Sequence, residues 1–99
     1  MSDREEKLQR IAKRCAEILR DKYKVKRVIL IGSLAKGLVH KRSDIDLVVE
    51  GLLSSLYIKA LTDLWDILPS GVELNLISFE DAFESLKEKA IKEGEYIYG

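Results

Sequence analysis

One cysteine in 99 residues excludes an internal disulfide, and a single histidine leaves no imidazole and thiolate set for a metal centre. Cys15 falls on the apolar face of a predicted helix, the place of a buried structural thiol rather than a reactive one. No apolar run approaches the length needed to cross a bilayer, so no membrane partner is expected. The first residues, MSDREEKLQR, are polar and charged where a secretory leader would be apolar. A cytoplasmic protein is the expectation. Formal net charge is +0, so overall charge gives no reason to expect direct nucleic-acid binding. Repeats, low-complexity tracts and linkers are also missing.

What is present suits one small core. The chain is 46% hydrophobic and 34% charged, and residues 1–99 read as a single domain. Charge is unevenly spread. Residues 1–42 carry 13 Lys and Arg against 5 Asp and Glu, and residues 43–99 carry 4 against 12. This is either a basic surface for an anionic ligand or partner, or a solvated basic helix facing an acidic one.

Residues 3–22 have helical spacing of Leu8, Ile11, Ala12, Cys15, Ile18 and Leu19, with Ser2 and Glu5 as a possible capping box. Residues 26–31 predict a strand ended by Gly32, and residues 33–37 a short helical turn. Residues 44–49 predict a second strand. Residues 54–68 predict a helix with Leu64, Trp65 and Leu68 on its apolar stripe, stopped by Pro69 and Gly71. Residues 72–77 alternate as a third strand. Residues 79–93 predict a last helix, capped by Ser78 with Asp81 and facing Phe83 inward, and the tail EYIYG is expected to be loose or held by a partner. The class is α/β (α+β): a three-stranded or slightly larger mixed sheet, with helices mainly on one face.

The chemistry is concentrated in IGSLAKGLVHKRSDIDLVV. Gly32 has no Cβ, so a phosphate can approach its backbone closely. The start of the following helical turn presents free N–H groups, and the Ser33 hydroxyl can donate a further hydrogen bond. Asp44 and Asp46 leave the same face of a strand, where two carboxylates repel. A divalent cation with hard oxygen ligands offsets that repulsion. Glu73 shares its face of the third strand with Asn75 and Ile77, and joins the pair if that strand lies beside residues 44–49. Each feature alone has an ordinary alternative: a common turn, an exposed strand start, an exposed acidic residue.

Together they resemble a known family. Gly32-Ser33, ten residues, then Asp44-Ile45-Asp46 is similar to the Gly-Ser-x10-Asp-x-[Asp/Glu] signature of the polymerase-β-like nucleotidyltransferase superfamily. Ala35, Gly37, Ser43 and Leu47 stand where its minimal nucleotidyltransferase branch has them, and the likeness covers about residues 25–78. The resemblance implies the small nucleotidyltransferase fold and an enzyme moving a nucleoside monophosphate from ATP to a hydroxyl, with loss of pyrophosphate. It implies nucleotide binding by Gly32, Ser33 and Lys36. It also implies Mg²⁺, two ions, held by Asp44, Asp46 and Glu73. Glu73 would also activate the acceptor. Such proteins are often antitoxins that adenylylate a tyrosine of a HEPN-type ribonuclease toxin. With no residues left for an acceptor-binding domain, a protein partner or self-association is expected, and Tyr96 and Tyr98 would suit an interface.

Three departures from the family pattern stand out. Leu34 and Lys36 occupy places where many relatives carry Arg, and Lys lacks the bidentate fork. Glu73 replaces the usual Asp and is one methylene longer. The alternative expectation is therefore a weak or inactive transferase that neutralises its partner by binding alone. His40, Lys41 and Arg42 lie on the loop between the motif halves and read either as a solvated basic loop or as holding phosphate or partner; His40 has no second His or Cys near it.

Overall fold

The computed structural model describes residues 3–35 and 43–99, without the side chains of Ser33 and Ser43. The possible cap at Ser2, and Lys36, His40, Lys41 and Arg42, lie outside the described residues.

Helix α1 spans Asp3–Tyr23, with Asp3, Glu5 and Glu6 in its first turn and Arg20 and Lys22 in its last. Both ends thus complement the helix dipole. Strand β1 (Arg27–Ile31) leads into the short helix α2 (Gly32–Ala35), and β2 covers Ser43–Glu50. Helix α3 (Tyr57–Asp66) follows a 3-10 turn at Ser54–Leu56. Strand β3 is Val72–Ser78, a second 3-10 turn covers Phe79–Asp81, α4 is Glu84–Glu93 and β4 is Glu95–Tyr98.

The sheet order is β3-β2-β1-β4. β2 pairs with β3 in parallel, and β1 pairs antiparallel with both β2 and β4. Alternation splits the sheet into two faces. Val28, Leu30, Ile45, Leu47, Val49, Leu74 and Leu76 pack against α1 through Leu8, Ala12, Cys15 and Leu19, and against α3 through Ala60 and Leu64. This is the main core, and burying each of its larger side chains contributes about 1.5–3 kcal/mol. Ile29, Ile31 and Val48 form a smaller cluster on the opposite face with Ala90 of α4, backed by Ile77, Phe79 and Leu86. Helices α1, α2 and α3 on one face and α4 on the other match the expected one-sided bias.

Three expectations change. The tail is not loose, because Glu95, Tyr96 and Tyr98 pair with β1 as an edge strand. Gly94 permits this: a Cβ there would meet Ile29 Cγ2 at 2.3 Å and the Ala90 carbonyl at 2.4 Å. The helix expected at 79–93 is broken, because a 3-10 turn closes at Phe79–Asp81 and α4 starts only at Glu84. Neither Ser78 nor Phe83 makes a side-chain cap, and Phe83 is 84% exposed, not inward. The turn serves the sheet instead: Glu80 accepts a hydrogen bond from the Gly51 N–H at 2.8 Å, and Phe79 joins the smaller cluster. Finally, Trp65 leaves the core stripe of α3 and is 54% exposed.

Part of the basic half faces an acidic partner, since Lys22 pairs with Asp63 of α3 at 2.7 Å. No helix among the described residues is long and apolar enough to cross a membrane.

Candidate functional site

β2 carries Asp44 and Asp46 on the face opposite the main core, one strand from each neighbour. Across the parallel pair Asp44 is level with Glu73 and Asp46 with Asn75. Across the antiparallel pair Asp46 is level with Ile31, the last residue of β1, and Gly32 follows at the start of α2. Strand pairing therefore brings both halves of the motif together, and places Glu73 beside the first aspartate.

The two carboxylates are held differently. Asp46 Oδ1 accepts a hydrogen bond from Asn75 Nδ2 at 2.8 Å. Its Oδ2 rests over Gly32, where a Cβ would lie 2.5 Å away. Gly32 has a φ of +81°, in the left-handed region that favours glycine. Glycine is thus required twice here, by the backbone angle and by the aspartate that rests on it. Asp44 is half-buried, and its Oδ1 is fully enclosed with no hydrogen-bond partner among the described residues. An enclosed, unpartnered carboxylate oxygen is costly unless something satisfies it. Among the described residues neither aspartate is in a salt bridge.

Glu73 is exposed, and among the described residues no three His, Cys, Asp or Glu side chains are close enough to share a metal ion. The structure thus brings Asp44 and Asp46 together and sets Glu73 alongside them without closing a three-carboxylate cage. Ser33 lies in α2. Asn75, the neighbour of Asp46, was visible in the sequence only as a polar residue on the wet face of β3. Its contact depends on the β2–β3 register.

This donor set fits a divalent cation such as Mg²⁺: carboxylate oxygens are the hard ligands it takes, and Asp44 Oδ1 is free to act as one. With a cation held, the face could bind a polyphosphate.

Comparison with known proteins points to one family. The sequence profile described as polymerase beta, nucleotidyltransferase, matches residues 13–99. The protein MJ1379 of Methanocaldococcus jannaschii, provisionally named a protein adenylyltransferase, is 34% identical over 91 residues, which cover 87% of this chain and 89% of that protein. A solved structure provisionally described as a minimal nucleotidyltransferase superposes with a TM-score of 0.66 at 25% identity, covering 89% of this chain and 93% of the other. A toxin-antitoxin structure determined with AMP-PNP superposes with a TM-score of 0.70 at 24% identity, covering 88% of this chain and 73% of the other. The last of these bears on the fold alone.

Proposed function

This chain belongs to the polymerase beta nucleotidyltransferase family, and from that premise we propose that it transfers AMP from ATP to a hydroxyl of a partner protein. The acceptor is a tyrosine of a HEPN-type toxin, and the chain is the antitoxin, working in the cytoplasm. The observation that carries this reading is the Asp44–Asp46 pair beside Gly32, with the enclosed Asp44 oxygen unpartnered among the described residues. A relative named for protein adenylylation supports the choice of reaction, and the toxin partner is proposed from a toxin-antitoxin structure that shares this fold.

Asp44 and Asp46 would hold Mg²⁺, with Glu73 as the third carboxylate. When bound, the metal supplies charge neutralisation for the triphosphate and the departing pyrophosphate. Gly32 lets phosphate oxygens approach the backbone, and Ser33 with Lys36 binds them. Asn75 fixes one oxygen of Asp46, so this carboxylate enters the reaction already oriented. Glu73, on the outer strand, takes the acceptor proton.

A second reading is favoured by one observation: the carboxylates do not close into a cage of three. On that reading the chain neutralises its partner by contact without transfer. Labelled ATP separates the two. The transferase reading expects metal-dependent label on the co-expressed partner, abolished by Asp44→Asn with Asp46→Asn. Label on the partner that is no greater than with the double variant, with the partner still neutralised and co-purified, would establish the binding reading instead.

A further inference from the structure

Phe83, at 84%, is the most exposed large apolar side chain among the described residues. It stands between the second 3-10 turn and α4, and its neighbours are acidic: Glu80, Asp81 and Glu84. Among the described residues Asp81 is in no ion pair, and Glu84 reaches only Lys87, at 3.9 Å. The ring gives the core nothing, so its apolar surface is buried only when another molecule covers it.

The opposite chemistry lies on α1. Lys7, Arg10 and Arg14 follow one flank of that helix, and with Ile11 and Ile67 they line a groove of about 360 Å³. Lys7 and Arg10 are exposed and in no ion pair among the described residues, and Arg14 meets only the exposed Glu17, at 3.5 Å. Ile67 is 37% exposed on the floor of the groove. An apolar floor with a cationic rim suits an apolar side chain flanked by carboxylates. A bare phosphate chain would leave Ile11 and Ile67 uncovered.

Both halves of such a contact are present in this chain, and we propose that the groove receives the Phe83 turn of a second copy. Ile11 and Ile67 would cover the ring, and arginine guanidinium groups on the rim would meet both its face and the flanking carboxylates. Formal net charge is +0, so no overall repulsion keeps copies apart. The basic residues of α1 that find no acidic partner within the chain thereby find one between chains.

The fold fixes the geometry of the contact. α1 packs on the main-core face and ends at Tyr23, just before β1 begins, so Lys7 and Arg10 lie towards the end of the sheet where β1 finishes. Phe83 follows β3, whose last residue Ser78 is level with Val49 and through it with Val28, near the start of β1. Phe83 also leads into α4, on the face of the smaller cluster. Knob and groove thus occupy opposite ends and opposite faces, so two copies cannot exchange both contacts. The association is head-to-tail: each pair leaves one groove and one Phe83 free, and the assembly grows with concentration.

Sedimentation of the full chain from about 10 μM to about 1 mM tests this, a range that reports contacts of micromolar to millimolar strength. The mass of the wild type is expected to rise past two chains, and to fall back with added salt as the charges are screened. Phe83→Ser should lower the association constant at least tenfold. Its melting temperature should hold or rise, because the position is exposed and serine is a good helix cap. Lys7→Glu with Arg10→Glu should do the same from the other side without breaking an ion pair. An equimolar mixture of these two variants should form a dimer and nothing larger, since one brings only a groove and the other only a Phe83. A wild type that stays monomeric throughout, or that stops at two chains, overturns the proposal. So does either variant associating as the wild type does, or a mixture that stays monomeric.

Discussion

Asn75 Nδ2 donates to Asp46 Oδ1 over 2.8 Å, across the parallel pairing of β2 with β3. The amide holds one carboxylate oxygen, while the other lies against Gly32. Asp46 can therefore rotate little about its terminal bond.

Asn75→Ala tests that restraint. The group is exposed, so the bond contributes little to folding, and the melting temperature should hardly move. A hydrogen bond to a charged group is worth about 1.5–3 kcal/mol in general, and exposure puts this one at the low end. Loss of orientation should appear in turnover: kcat for partner labelling should fall roughly tenfold, with KM for ATP little changed. A rise in KM with kcat intact would mean that Asn75 binds nucleotide instead of positioning Asp46.

Gly32→Ala should act on both stability and binding. The left-handed φ of +81° strains any side chain, and the new Cβ would sit 2.5 Å from Asp46 Oδ2. The backbone effect alone costs about 1 kcal/mol or more, which in a domain of this size lowers the melting temperature by roughly 4–8 °C. Relief of the clash must move either Asp46 or the start of α2, so Mg²⁺-dependent binding of AMP-PNP should weaken as well. Calorimetry of both transitions measures the two effects separately. A variant that melts early but binds normally would show that Asp46 is free to move.

The α1–α3 junction predicts how stability follows pH. Hydrogen bonds from Lys22 and Tyr23 hold the Asp63 carboxyl below its ordinary range. Burial first, and then the bond to Asp63, push the Tyr23 phenol up to about 12. A depressed carboxyl stabilises the fold above its unfolded pKa of 3.8, and that contribution is lost as pH falls through the lower folded value. A raised phenol stabilises the fold below its unfolded pKa of 10.0, and that contribution is lost as pH rises towards 12. Asp63→Asn should therefore melt below the wild type at neutral pH, with the gap closing in acid. Thermal melts across pH would disprove this if the gap stayed constant.

Much of this could be read before any coordinates. β1 is apolar and stops at a glycine, and the alternation of Val72–Ser78 placed Glu73 and Asn75 on the wet face. The Asp-x-Asp spacing placed both carboxylates on one side of β2. What could not be read depended on pairings between distant residues. β4 is four residues long, two of them tyrosines, and gains its identity only by docking on β1. Asn75 becomes a partner of Asp46 only because β2 and β3 run parallel in one register. Trp65 has the spacing of a core residue, but it lies in the last turn of α3 with 54% of its surface exposed, beside Leu68 and Pro69.

Cys15 tests the main core through its chemistry. Its side chain is fully buried between α1 and the sheet, and burial pushes its thiol up to about 11. Only the thiolate reacts with iodoacetamide, so in the folded protein at pH 8 both access and ionisation oppose modification. Intact mass spectrometry should show almost no alkylation of the native chain over a period that fully modifies it in denaturant. Leu19→Ala opens a cavity in the same cluster and should cost about 2–5 kcal/mol. That loss should speed alkylation in proportion to the larger unfolded population, because reaction then proceeds through opening. Equal alkylation rates in the two proteins would mean that Cys15 is reached by a local movement of α1, not by loss of the core.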